Sequence, residues 1–201
     1  VLEVSSVRKK FRLVELERLL ELKPREVFRA IEAVRDVSFT VGKGQVYGFL
    51  GPNGAGKTTC IRMMLDILRP TSGSISILGT PRALDVRERI GYLPEEKGLY
   101  KKMTATAVIA YFAMLKGVAP AVAKKTAREL LERYGLGDFQ NHKCEALSKG
   151  MGQKVQVLAS IAHDPDLVIL DEPFSGLDPV NQGVMEEVIR DIRARGKTVL
   201  F

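Results

Sequence analysis

The run Gly51-Pro52-Asn53-Gly54-Ala55-Gly56-Lys57-Thr58 meets the pattern G-x-x-x-x-G-K-[ST] at every fixed position, and its flanks narrow what the chain can fold into. Before it, Val46-Tyr47-Gly48-Phe49-Leu50 reads as a buried strand; after it, Thr59-Cys60-Ile61-Arg62-Met63-Met64-Leu65 reads as a helix. A strand, a glycine-rich turn and a helix in that order let successive backbone N–H groups curl inward around phosphate oxygens, with the positive end of the helix behind them. Gly51, Pro52, Asn53, Gly54, Ala55, Gly56, Lys57, Thr58 and Thr59 form the expected phosphate-binding set. Lys57 would reach the β- and γ-phosphates, and the Thr58 hydroxyl would ligate Mg²⁺. The loop alone leaves the class of nucleotide enzyme open, since a kinase or a GTPase would carry it too.

At 201 residues and 45% hydrophobic, the chain is long enough for one domain with a substantial core. Its apolar runs are too short to span a bilayer, and its N-terminal segment lacks the layout of a secretory signal. The two cysteines, Cys60 and Cys144, read as reduced thiols of a cytosolic protein, because Cys60 sits inside the helix after the loop. The net charge of +7 suits nucleotide phosphates, an anionic membrane surface or nucleic acid equally. The chain starts at Val1 and stops within the apolar run 197–201, so we expect a fragment truncated inside a strand.

Residues 34–41 alternate, with Val37, Phe39 and Val41 on one face, as in a half-buried strand, and residues 75–78 read as another. Leu13, Leu16 and Leu20 share one helical face, which predicts an amphipathic surface helix ending near Pro24. From Thr104 to His163 the pattern becomes helical: one segment apolar on most sides around Val108–Leu115, a second from Pro120 to Tyr134 stopped by Gly135, and a third capped by Ser148. A continuous apolar strand follows at residues 167–170. Strands alternating with helices predict an α/β core with a parallel sheet.

That strand ends in Asp171 and Glu172. Ligands of open α/β sheets sit at the carboxyl ends of strands, so this pair should emerge beside the phosphate loop. Adjacent residues on an extended chain point to opposite sides, so the two carboxylates are expected to do different work. Asp171 suits the Mg²⁺ shell, and Glu172 suits the general base that polarises an attacking water.

The segment Leu147-Ser148-Lys149-Gly150-Met151-Gly152-Gln153 resembles the signature motif of ABC-type ATPases, usually written LSGGQ. Ser175-Gly176-Leu177-Asp178-Pro179 resembles the family's D-loop, and Ile90-Gly91-Tyr92-Leu93-Pro94-Glu95 its Q-loop. The motifs follow the family's order and cover essentially the whole chain. The resemblance implies a P-loop NTPase core with a parallel sheet, an N-terminal antiparallel β subdomain and an inserted α-helical subdomain at about 96–163. It also implies a head-to-tail dimer that sandwiches two ATP molecules, each between one copy's phosphate loop and the Ser148, Gly150 and Asp178 of the other. Lys149 and Met151 replace the usual Gly and Gln of the signature, while Ser148 and Gly150 are retained. Glu95 stands where the family usually has Gln, and a carboxylate is also a hard oxygen ligand for Mg²⁺. The family's switch histidine should follow residues 199–201; His142 and His163 precede the acidic strand and do not stand in for it. This fragment alone is therefore expected to hydrolyse ATP poorly. For the aromatic ring that stacks on adenine, Arg8-Lys9-Lys10-Phe11 makes Phe11 the first choice, with Phe28 the alternative.

The run from Gly91 to Tyr100 resembles the ATPase subunits of bacterial ABC-2-type exporters, which implies a separate integral membrane permease and a place on the cytoplasmic face of the cell membrane. The helix around Val108–Leu115 and the segment after Glu95 would form the groove for a permease helix. The competing expectation is a non-transport ABC ATPase acting on nucleic acid or the ribosome; without coiled-coil or zinc-binding inserts, no nucleic-acid partner is expected.

Overall fold

A computed structural model describes residues 1–14, 28–95 and 98–201. In chain order the elements are β1 (Leu2–Val14), β2 (Phe28–Val41), β3 (Val46–Tyr47), α1 (Lys57–Met64), β4 (Ser72–Ile77), β5 (Ile90–Leu93), α2 (Ala105–Leu115), α3 (Pro120–Arg133), α4 (Lys149–Ile161), β6 (Leu167–Leu170), α5 (Pro179–Ala194) and β7 (Thr198–Leu200). They divide into two compact units, Val1–Val41 with Leu50–Asp85, and Gly42–Phe49 with Val86–Phe201.

The first unit is an antiparallel sheet in the order β2-β1-β4, with α1 packed on β2 and β4. Leu2 and Val4 occupy alternate positions on the buried face of β1. Val7 breaks that parity, yet it too is buried. A register shift between Val4 and Val7, with Ser6 at φ 48°, inserts the extra residue that returns Val7 to the core. On β2 the expected alternation holds: Val41 is buried, Val37 and Phe39 half-buried, and Ser38 and Thr40 exposed.

Two expectations for this part of the chain are corrected. Leu13 lies in β1, in register with Arg29, and not on a helix; Leu16, Leu20 and Pro24 lie outside the described residues. The ladder between β1 and β2 continues out to Val14 and Phe28, so Leu13 follows its strand partner. The strand expected over residues 46–50 is only Val46–Tyr47, and Leu50 is 86% exposed. Its register with β7 ends at Tyr47 opposite Leu200, and a last backbone hydrogen bond, Phe49 N–H to Phe201 O, precedes the loop.

The second unit is built on a parallel sheet in the order β3-β7-β6-β5. All four residues of β6 are fully buried, as a strand covered on both faces requires. The three expected helices form as α2, α3 and α4, with Thr104 capping α2, Ser148 capping α4 and Gly135 following α3 at φ 72°. α2 packs on α3 and α4, and α4 packs on β5. One apolar core joins the helices to the sheet through Val108, Leu131, Leu158, Val168 and Leu170. Among the described residues, no helix is long and apolar enough to cross a membrane. Cys60 and Cys144 are free and buried in different units, and burial pushes the Cys60 thiol up to about 11.

Candidate nucleotide site

The phosphate-loop residues belong to the first unit. Gly54 and Gly56 stand at φ 80° and 88°, in the left-handed region that favours glycine. Ala55 N–H donates to Pro52 O at 3.1 Å to tighten the turn, and Cys60 N–H donates to Gly56 O at 2.9 Å to begin α1. A Cβ on Gly56 would run into the backbone carbonyl of Ala33. Gly56 is the N-cap of α1 and supplies no capping side chain, and the first turn carries no acid. The opening N–H groups and the positive end of the helix dipole are therefore left to a ligand. Lys57 Nζ folds back on the loop, donating to Gly51 O at 2.7 Å and Pro52 O at 3.3 Å. Thr58 and Thr59 are half-buried in the first turn, while Gly51, Pro52, Asn53, Gly54 and Ala55 are exposed.

Phe11, in the same unit, is a half-buried residue of β1 opposite Ile31, with Lys9 Nζ 5.2 Å from its ring centroid. Phe28 opens β2 in register with Val14, and its side chain lies outside the described residues.

The carboxylates gather in the second unit. Leu93 pairs with Leu170, and Asp171 N–H donates to Leu93 O at 2.9 Å, so Glu95, Asp171 and Glu172 share the carboxyl edge of the sheet. Their environments differ sharply: Asp171 is 2% exposed, Glu172 half-buried and Glu95 exposed. The reason expected from sequence, alternation along an extended chain, is corrected. Glu172 stands at φ 51°, so the chain has already left the extended region, and a turn closed by Ser175 N–H to Glu172 O at 3.1 Å sets its direction. A non-glycine residue held there is strained backbone of the kind that gathers at working sites.

Thr58, Glu95 and Asp171 would supply only hard oxygens, the donor type Mg²⁺ takes. Among the described residues no three acidic, histidine or cysteine side chains cluster as a cage.

The signature and the D-loop meet in the second unit. Ser148 caps α4, its Oγ accepting from Met151 N–H at 3.2 Å. Asp178 caps α5, accepting from Asn181 N–H at 2.9 Å and from Asn181 Nδ2 at 2.6 Å. Those donations hold the Asp178 carboxyl below its usual value. Asn181 presses its amide against Gly150, where a Cβ would collide with it, and Lys149 Nζ lies over Gly176. Asn181 was not anticipated; the spacing Asp178-x-x-Asn181 at a helix start was its signal. Gln153 was likewise missed. It is buried on α4 and donates from Nε2 to Pro173 O at 2.6 Å, and its signal was a polar residue one turn before Val157 on the apolar face.

The helix 108–115 and the segment after Glu95 do face one another: Leu99, Tyr92 and Phe112 line a cavity of about 110 Å³ with Gln156 and Ala159.

A parallel sheet whose strands alternate with helices, and a glycine loop leading into a helix, define an α/β P-loop NTPase fold. The family model described as ABC transporter matches residues 34–175, and the chain belongs to the ABC transporter family. It is 44% identical over 176 residues to the ABC transporter ATP-binding protein YhaQ of Bacillus subtilis, a match covering 88% of this chain and 59% of YhaQ. It is 41% identical to the ABC transporter ATP-binding protein NatA of Bacillus subtilis, over 86% of this chain and 72% of NatA. It is 39% identical to the Nod factor export ATP-binding protein I of Burkholderia lata, over 84% of this chain and 56% of that protein. The chain thus spans little more than half the length of several relatives it matches. Among solved structures, the ATP-binding subunit of an ABC transporter aligns over 100% of this chain and 78% of its own, with TM-score 0.78 and 29% identity. A dimeric ATP-binding cassette bound to ADP and Pi aligns over 100% of this chain and 86% of its own, with TM-score 0.82 and 22% identity, and shares the fold.

Proposed function

We propose that this chain is the ATP-binding and ATP-hydrolysing part of an ABC exporter, working as a pair of copies on the cytoplasmic face of the membrane beneath a separate permease. The observation that carries this reading is the loop 51–58: two left-handed glycines, a lysine turned inward and an uncapped helix start behind them. Phosphate oxygens would take the loop N–H groups and Lys57, and Mg²⁺ would supply charge neutralisation through Thr58, Asp171 and Glu95. Phe11 would stack on adenine. Glu172 would accept the proton of the water that attacks the γ-phosphorus, leaving ADP and inorganic phosphate. Ser148 and Gly150 at the start of α4, with Asp178, would close the site from the second copy. The cavity beside Phe112 and Leu99 would receive an apolar helix of the permease. The name of one relative, the Nod factor export ATP-binding protein I, supports export, and that of NatA supports an ATP-binding part of a transporter.

The test is Glu172→Gln in the full-length protein. It should bind ATP, accumulate as a dimer and lose hydrolysis; near-normal turnover would remove Glu172 from the role of base.

A further inference from the structure

Beside the part of α2 proposed to receive the permease, α2 and α3 line a second cavity, of about 470 Å³. That volume lies within the usual range of small-molecule sites, roughly 300–1,000 Å³. Met103, Ala107, Tyr111 and Met114 give it an apolar floor, Lys124 and Arg128 stand at its rim, and no carboxylate lines it. Lys124 and Arg128 are four residues apart on one face of α3, a spacing at which like charges repel. The next lysine, Lys125, is paired with Glu129 at 3.7 Å. Among the described residues, no such partner reaches Lys124 or Arg128. The helix has an acid for its solvent-facing lysine and none for the two cations over the cavity.

The walls are fixed in place. Thr106, nearly fully buried, donates from Oγ1 to Gln140 O at 2.9 Å, and its N–H donates to the same carbonyl at 3.1 Å. Ala105 N–H donates to His142 O at 3.1 Å. The Tyr111 ring meets Tyr100 edge-on at 5.6 Å and Phe112 at 5.8 Å, the three rings forming a cluster. The two methionines give the floor an adaptable apolar surface.

We propose that this cavity binds a single-chain anionic amphiphile, its alkyl or aryl body along Met103, Tyr111 and Met114 and its carboxylate or phosphate between Lys124 and Arg128. Two cations that repel each other gain from a shared anion, and the exposed apolar area of Met103, Tyr111 and Met114 rewards an apolar body that covers it.

The test titrates the full-length protein with dodecyl phosphate, below its micelle concentration, by calorimetry. We expect saturable binding at one site per chain, lost for dodecyltrimethylammonium. Lys124→Glu with Arg128→Glu, both at exposed positions, should weaken it at least tenfold without changing the thermal midpoint or ATP binding. Ala107→Trp should abolish it by filling the floor; should that variant not fold, the charge reversal decides. Unchanged affinity after charge reversal, equal binding of the cationic detergent, or binding to phosphatidylglycerol vesicles but not to the monomer would each overturn the proposal.

Discussion

Gln153, buried on α4, holds the main-chain carbonyl of Pro173 at 2.6 Å, one residue beyond Glu172. The helix that carries the signature is thereby tied to the turn that carries the catalytic candidate. Gln153→Leu removes the donor and leaves a buried carbonyl short of a partner, which costs about 1–3 kcal/mol. We expect a lower thermal midpoint, ATP binding largely retained, and turnover reduced by more than the loss of folded protein explains. Calorimetry beside an ATPase assay decides it, and turnover equal to the parent would separate Gln153 from the chemistry.

Gly150 and Asn181 should behave as one unit. In Gly150→Ala the new methyl displaces the Asn181 amide and breaks its bond to Asp178. Asn181→Ala should relieve the collision, so the double variant should be more stable than the sum of the single losses, by a coupling on the order of 0.5–3 kcal/mol. Additive losses in urea titrations would deny the contact any weight.

The loop glycines should not be equivalent. Gly56→Ala combines a left-handed backbone, costing about 1–2 kcal/mol, with a collision against the Ala33 carbonyl. Gly51 has no such backbone, and a Cβ there meets Ala55 at an ordinary 3.4 Å. ATP affinity should collapse in Gly56→Ala and survive in Gly51→Ala. A reversed order would mean that the loop takes another shape when it works.

His163 should make the protein acid-sensitive. Burial, with Lys116 nearby, lowers its value to about 4, while its Nε2 faces Ile90 O at 3.2 Å. Between about 4 and the usual value near 6.5, the unfolded chain binds the proton and the folded chain does not. Stability from this group is therefore present above pH 6.5 and falls as the pH drops toward 4. Replacing His163 by Gln, which keeps a donor for the carbonyl, should flatten the pH dependence of the urea midpoint across that window. An unaltered slope would assign the acid sensitivity elsewhere.

The buried strand at 167–170, the three helices and the cap at Ser148 were readable because each rests on a local pattern: a run of apolar residues, a 3.6 period, a hydroxyl before a helix. The order of the sheet was not, since β3 and β7 pair across most of the second unit and no local pattern encodes that partnership. At Leu13 the helical reading failed for the same reason: the pairing of β1 is set by β2, a partner distant in sequence. At the candidate site, two supporting residues were not readable. Asn181 and Gln153 act through contacts that only the packed helices create.

The left-handed backbone at Glu172 gives that position an unusual division of labour. Where most side chains are aimed by their rotamers, this one is aimed by the main chain beneath it. The turn behaves as a fixed mount, and the residue seated there is the tool it carries. Exchanging glutamate for glutamine changes the tool and keeps the aim, so a difference between the two reports on the carboxylate's charge and proton affinity rather than on its placement. A β-branched residue such as valine would instead resist the mount itself, and its failure would say nothing about chemistry.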